Sequence, residues 1–118
     1  LQLKDTNIVL FTGIENPKPL VNYLKNKCTN IETLRFPDHH EFTEKNLNLV
    51  LEKFNKFAKE KVVIVTTEKD FQRLKSLTIF SLIQHLPCFY IPLEIKIDNE
   101  VVFNTTIINY VTENKRNS

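Results

Sequence analysis

Val62-Val63-Ile64-Val65-Thr66-Thr67-Glu68-Lys69-Asp70 is the stretch on which the fold turns. Four consecutive β-branched residues suit a strand buried on both faces, as parallel strands are. The polar run behind them holds a helix start. Thr67 and Asp70 stand at capping-box spacing, with Asp in place of the usual Glu. A short helix through Phe71 and Leu74 should follow, so a strand runs directly into a helix, as in a strand–helix–strand unit.

Working outward, the same unit recurs. Upstream, Thr43 should cap an amphipathic helix whose stripe is Leu47, Val50, Leu51, Phe54, Phe57 and Ala58. Before it, Ile31 to Phe36 reads as a strand. Ile8-Val9-Leu10-Phe11 is a buried strand ended by Thr12-Gly13, and Gly13 is the single glycine of the chain. Asn16 is placed to cap a helix with Pro17 at its first position and Pro19 still in the first turn. That helix should turn Leu20, Tyr23 or Leu24, and Cys28 to one face. Downstream, Ile79 to Gln84 reads as helical and Phe89 to Ile97 as extended, with Pro92 limiting its pairing. A last helix is predicted to carry Phe103, Ile107, Tyr110 and Val111, starting between Asp98 and Asn104. These elements predict one α/β domain over residues 1–118, with a mainly parallel sheet flanked by helices in a Rossmann-like three-layer α/β/α arrangement.

A parallel sheet of this kind carries function at the carboxyl ends of its strands. Three polar segments occupy those ends: Gly13 to Pro17, Pro37 to Glu41, and Thr66 to Asp70. They are predicted to gather on one edge.

Composition narrows the classes. Of 118 residues, 42% are hydrophobic, enough for a core. The net charge of +2, from 16 basic and 14 acidic residues, makes no electrostatic case for nucleic acid. No apolar run approaches the roughly 20 residues that span a bilayer. Cys28 and Cys88 have no metal-ligand or disulfide-scaffold spacing and read as buried thiols. The chain opens at Leu1 and contains no methionine, which reads as an excised domain.

Asp38-His39-His40 is the most chemical triplet. A carboxylate beside an imidazole orients it, and imidazole titrates near neutral pH. Against this, Asp38 can shape a loop through its own backbone, and the histidines can be solvated surface groups. Asp-His-His also names a class of metal-dependent phosphoesterases. Those need further carboxylate and histidine ligands, and here the one other histidine is His85, placed on a helix, with no Asp-x-Asp segment upstream.

Thr66, Thr67, Glu68, Lys69 and Asp70 put hydroxyls, a cation and a helix N-terminus together, a combination that suits an anion such as phosphate. Plain capping by Thr67 explains the same residues. Gly13 likewise can serve a tight turn and nothing more. With one glycine the chain cannot form a P-loop or a dinucleotide-binding loop.

Taken in order, three segments resemble the tetraacyldisaccharide 4'-kinase family. Val9-Leu10-Phe11-Thr12-Gly13-Ile14-Glu15-Asn16-Pro17 is similar to its aromatic-x-Gly-Ile-x-x-Pro segment. Phe36-Pro37-Asp38-His39-His40-Glu41-Phe42-Thr43 is similar to its Phe-x-Asp-His-His-x-Phe segment, and Val63 to Asp70 to its Val-Thr-Thr-Glu-Lys-Asp segment, with Arg73-Leu74 in step. The likeness runs from residue 7 to about 97.

The resemblance implies transfer of the γ-phosphoryl group of ATP, with Mg2+, to the 4'-hydroxyl of a tetraacyldisaccharide 1-phosphate in lipid A synthesis. It implies a peripheral enzyme on the cytoplasmic face of the bacterial inner membrane. This chain would be its C-terminal part, closing over a cleft whose P-loop and most of whose metal and lipid contacts belong to an N-terminal kinase domain. A histidine of the Asp-His-His segment would act with an aspartate from that domain on the sugar hydroxyl. By position that is His39, with His40 second and Asp38 orienting. The resemblance gives Gly13, Asn16 and Thr66 to Asp70 no role beyond the edge of the site. The readings that compete with it are a non-catalytic anion-binding α/β module and the phosphoesterase fragment.

Overall fold

The structure is a computed structural model describing residues 3–57, 60–95, 101–103 and 109–110. Its main sheet has the order β2-β1-β3-β4-β7. The strands are β1 (Asn7–Thr12), β2 (Asn30–Arg35), β3 (Val62–Thr67), β4 (Cys88–Ile91) and β7 (Asn109–Tyr110). The first four run parallel, in register Ile8↔Ile31, Ile8↔Val63 and Val65↔Phe89, and β7 closes the edge antiparallel to β4. β5 (Leu93–Ile95) and β6 (Val101–Phe103) form a separate antiparallel pair.

The alternation of side chains along β1 explains the layers. Ile8 and Leu10 point to one face and pack with Leu20 and Leu24 of α1 (Lys18–Lys25). Val9 and Phe11 point to the other and pack with Leu47 and Val50 of α2 (Glu44–Asn55), Leu74 of α3 (Glu68–Leu74) and Phe80 of a 3-10 helix (Thr78–Leu82). Both faces of β1 and β3 are therefore covered, which is why their sequences are apolar without alternation. The predicted three-layer α/β/α architecture is what the residues form.

The connection from β1 passes through α1 to β2 on one side, and that from β3 passes through α3 to β4 on the other. Neighbouring strands whose connections leave in opposite directions make a switch point, the place where open α/β sheets hold their functional groups.

Three local expectations are corrected. The final helix does not form where the structure describes it: Phe103 lies in β6 and Tyr110 in β7. Ile107 and Val111 lie outside the described residues. The spacing of those four residues is helical, but Val101, Val102, Thr105, Thr106 and Ile108 are β-branched and favour extended backbone. Cys28 lies beyond the end of α1, although it still packs against the same cluster. The extended stretch from Phe89 is split at Pro92, which has no N–H for a ladder, into β4 of one sheet and β5 of the other. His85 sits in a turn after the 3-10 helix.

Candidate functional site

The three polar segments meet, and Asp70 joins two of them. Thr67 caps α3, its Oγ1 accepting the Asp70 N–H at 3.0 Å and donating its own proton to Asp70 Oδ2 at 2.7 Å. The same Oδ2 accepts the Gly13 N–H at 2.9 Å. Asp70 is 0% exposed. A carboxylate here is well placed electrostatically, since it sits in the first turn of a helix and takes two hydrogen bonds. Thr66 is buried too, and its hydroxyl donates to the Phe11 carbonyl at 2.8 Å. At the switch point the Asp70 side chain therefore takes up the Gly13 N–H and the Thr67 hydroxyl. The Thr66 and Thr67 hydroxyls are thus engaged within the protein, which does not favour the anion-binding reading of Thr66 to Asp70.

Gly13 is needed for space. Its φ is not positive. A Cβ there would stand 3.0 Å from Asp70 Oδ1, 3.2 Å from the Pro37 carbonyl oxygen and 3.4 Å from the His40 Cβ. The glycine lets the second polar segment come down onto the first and third. The His39 N–H donates to the Gly13 carbonyl at 3.2 Å, and the Phe36 N–H to the Thr12 carbonyl at 2.7 Å.

The two histidines differ sharply. The His40 N–H donates to the Pro37 carbonyl at 3.1 Å, closing a four-residue turn. His39, third in that turn, has a left-handed φ of 59°, a conformation that costs an ordinary side chain about 1–2 kcal/mol. Its side chain is 71% exposed. His39 Nε2 lies 3.6 Å from Asp38 Oδ2, and His39 Nδ1 lies 2.7 Å from Arg73 Nη2. His40 instead stacks on Phe36, with centroids 4.9 Å apart, and meets the edge of Phe42. Its Nε2 is 2.7 Å from Asn46 Oδ1, which also accepts the Thr43 N–H. Thr43 Oγ1 in turn accepts the Asn46 N–H, so Asn46 completes the capping box of α2 while fixing His40.

Of the other sequence candidates, Asn16 stands apart from the junction. Its Oδ1 accepts the Lys18 N–H at 3.2 Å at the start of α1, where Pro17 is the residue preceding the helix. Glu68 is half-buried and Lys69 exposed. Arg73 also belongs to the junction, although the sequence marks it only by its register with the Val-Thr-Thr-Glu-Lys-Asp segment. Its Nη1 faces Asp70 Oδ1 at 3.7 Å, and neither atom has a hydrogen bond. The signal that could have found it is position, one turn beyond Asp70 on the same helix. Among the described residues no three His, Cys, Asp or Glu side chains converge to hold a metal ion.

The fold and this junction define the class: a doubly wound α/β domain that presents an Asp–His pair at the carboxyl edge of its parallel sheet. The chain belongs to the tetraacyldisaccharide-1-P 4'-kinase family, whose sequence profile matches residues 1–112. Relatives named tetraacyldisaccharide 4'-kinase include those of Bacteroides thetaiotaomicron, 40% identical over 118 residues, and Phocaeicola vulgatus, 37% identical over 117 residues. Each alignment covers 98% of this chain, and 31% and 32% of those relatives. The relative from Flavobacterium johnsoniae is 36% identical over 114 residues, covering 96% of this chain and 30% of its own. The chain therefore spans about a third of the length of the curated relatives it matches. No solved structure matches it.

Proposed function

We propose that this domain supplies the histidine-bearing part of a tetraacyldisaccharide 4'-kinase, an enzyme that moves the γ-phosphoryl group of ATP to the 4'-hydroxyl of a tetraacyldisaccharide 1-phosphate. In this reading His39 acts with a carboxylate of another part of the protein on the sugar hydroxyl, and Asp38 orients the ring. The observation that carries it is the division of labour in the Asp-His-His segment. His39 is held outward at the switch-point edge, whereas His40 is packed against two aromatic rings. A side chain that must touch a substrate needs the first environment.

Among the described residues no three His, Cys, Asp or Glu side chains converge. ATP and Mg2+ belong to another part of the protein in this reading. Phosphoryl transfer is largely positioning and charge stabilisation, which makes division between two parts physically reasonable. No helix among the described residues is long and apolar enough to cross a membrane. A lipid acceptor nonetheless places the enzyme at a membrane surface, and the reading takes that to be the cytoplasmic face of the inner membrane.

The test is reconstitution. The product of the complete reading frame, given radiolabelled ATP, Mg2+ and the lipid acceptor, should yield the 4'-phosphorylated lipid. Folded protein that leaves that acceptor unlabelled would overturn the proposal.

A further inference from the structure

Four contacts close a circuit at the sheet edge. Gly13 gives its N–H to Asp70 and takes the N–H of His39 on its carbonyl. Asp70 faces Arg73, and Arg73 reaches the ring of His39. The circuit joins a fully buried carboxylate to a side chain that is 71% exposed. Arg73 is the only member that spans the two environments, with 26% of its side chain exposed.

We infer that Arg73 is a positioning residue for His39: aimed by buried Asp70, it holds the imidazole in one orientation and in the tautomer that carries its proton on Nε2. This rests on the reading of His39 as the reacting histidine. The chemical argument is the donor inventory. A guanidinium donates and never accepts, so at 2.7 Å the ring nitrogen Nδ1 must be the acceptor. The neutral ring then bears its proton on Nε2, the nitrogen turned toward Asp38. With Nδ1 taken up as the acceptor, Nε2–H remains as a donor: the ring can give a hydrogen bond to the partner carboxylate of the proposed site, and that carboxylate, not the ring, takes the hydroxyl's proton. A ring on an exposed turn would otherwise sample rotamers and both tautomers.

Arg73 is drawn toward Asp70 by charge across 3.7 Å, and that anchor is itself held in place. Asp70 is fixed by the Gly13 N–H and the Thr67 hydroxyl, and stands one helical turn away from Arg73. A lysine in its place would supply a point charge without the fork that reaches both groups.

The test combines spectroscopy with a double-mutant cycle in the full-length protein. With 15N-labelled histidine, long-range proton–nitrogen spectra should show an acceptor-type Nδ1 and a protonated Nε2 for His39. Arg73→Ala should relax this to a mixture, and Arg73→Lys should keep part of it. Turnover should fall about tenfold or more in Arg73→Ala with KM for ATP unchanged, as for residues in direct contact. In a His39→Ala background, Arg73→Ala should cost nothing further. A wild-type His39 protonated on Nδ1, or equal losses in both backgrounds, would overturn the inference. If Arg73→Ala unfolds, the wild-type spectrum and Arg73→Lys still decide. Full turnover in His39→Ala would instead overturn the proposed function, and the spectra would decide separately whether Arg73 sets the ring.

Discussion

The Asp70 carboxylate accepts the backbone N–H of Gly13 at 2.9 Å, across 57 positions of chain. That one contact ties the end of β1 to the start of α3, and everything at the carboxyl edge is built around it. Asp70→Ala would strand the Gly13 N–H and the Thr67 hydroxyl and leave Arg73 without its counter-charge. The expected loss is about 3 kcal/mol, the scale for breaking a buried charged pair. Asp70→Asn keeps the shape and should lose less. Chemical denaturation of both variants checks the order, and an Asp70→Ala protein as stable as the wild type would contradict it.

Gly13→Ala probes the same junction from the other side. The added methyl meets a backbone carbonyl at 3.2 Å and a buried carboxylate at 3.0 Å. Neither is the end of a flexible side chain with room to swing away. Overpacking of this kind costs about 1–3 kcal/mol, and the Asp38-His39-His40 turn should shift outward. A melting curve and amide chemical shifts of residues 37–40 read both effects.

The strained backbone at His39 makes a prediction that runs against intuition. With φ at 59°, glycine fits that position better than alanine does. His39→Gly should be more stable than His39→Ala by about 1 kcal/mol, with both equally inactive. Asn also tolerates this conformation and should fall near Gly in stability. Equal stability of the Gly and Ala proteins would mean the turn does not hold that conformation in solution.

Burial pushes the Cys88 thiol up to about 12. In the unfolded chain a thiol titrates at about 8.5. Below that pH both states keep the proton and Cys88 leaves stability unchanged. As pH rises from there toward 12, the unfolded state ionises first and gains, so stability falls. The matching observation is reactivity. At pH 8 in the native protein, an alkylating reagent should spare Cys88, which is 1% exposed, and reach only the half-buried Cys28. Native-state labelling of Cys88 as fast as in denaturant would contradict this.

Much of this was legible in the sequence. Val62 to Val65 and Ile8 to Phe11 are apolar on both faces, and that alone required a sheet covered on both sides. The gathering of Gly13, His39 and Thr67 followed from strand direction. Illegible was which side chains meet there. Asp70 looked like half of a capping box, but its carboxylate turns to Gly13 across the switch point, a tertiary contact that no local spacing encodes. His39 and His40 are chemically identical neighbours. Only the aromatic rings of Phe36 and Phe42 and the amide of Asn46 separate them, and these converge through the packing of α2. Where the last segment is described, Val101–Phe103 and Asn109–Tyr110 are strands, and the β-branched residues there outweigh the helical spacing.

The central claim is that His39, and not His40, meets the substrate. The most direct measurement is steady-state phosphoryl transfer by the full-length enzyme carrying His39→Ala or His40→Ala, alongside their melting temperatures. His39→Ala should lower kcat by roughly 10²–10⁴-fold, the usual contribution of such a group. Its KM for ATP and its stability should barely move. His40→Ala should keep most of its turnover and lose stability by about 1–2 kcal/mol, since it removes the ring stacked on Phe36 and in edge contact with Phe42 and takes one partner from Asn46. A His39→Ala enzyme with near-normal turnover, beside a stable but crippled His40→Ala enzyme, would contradict the account.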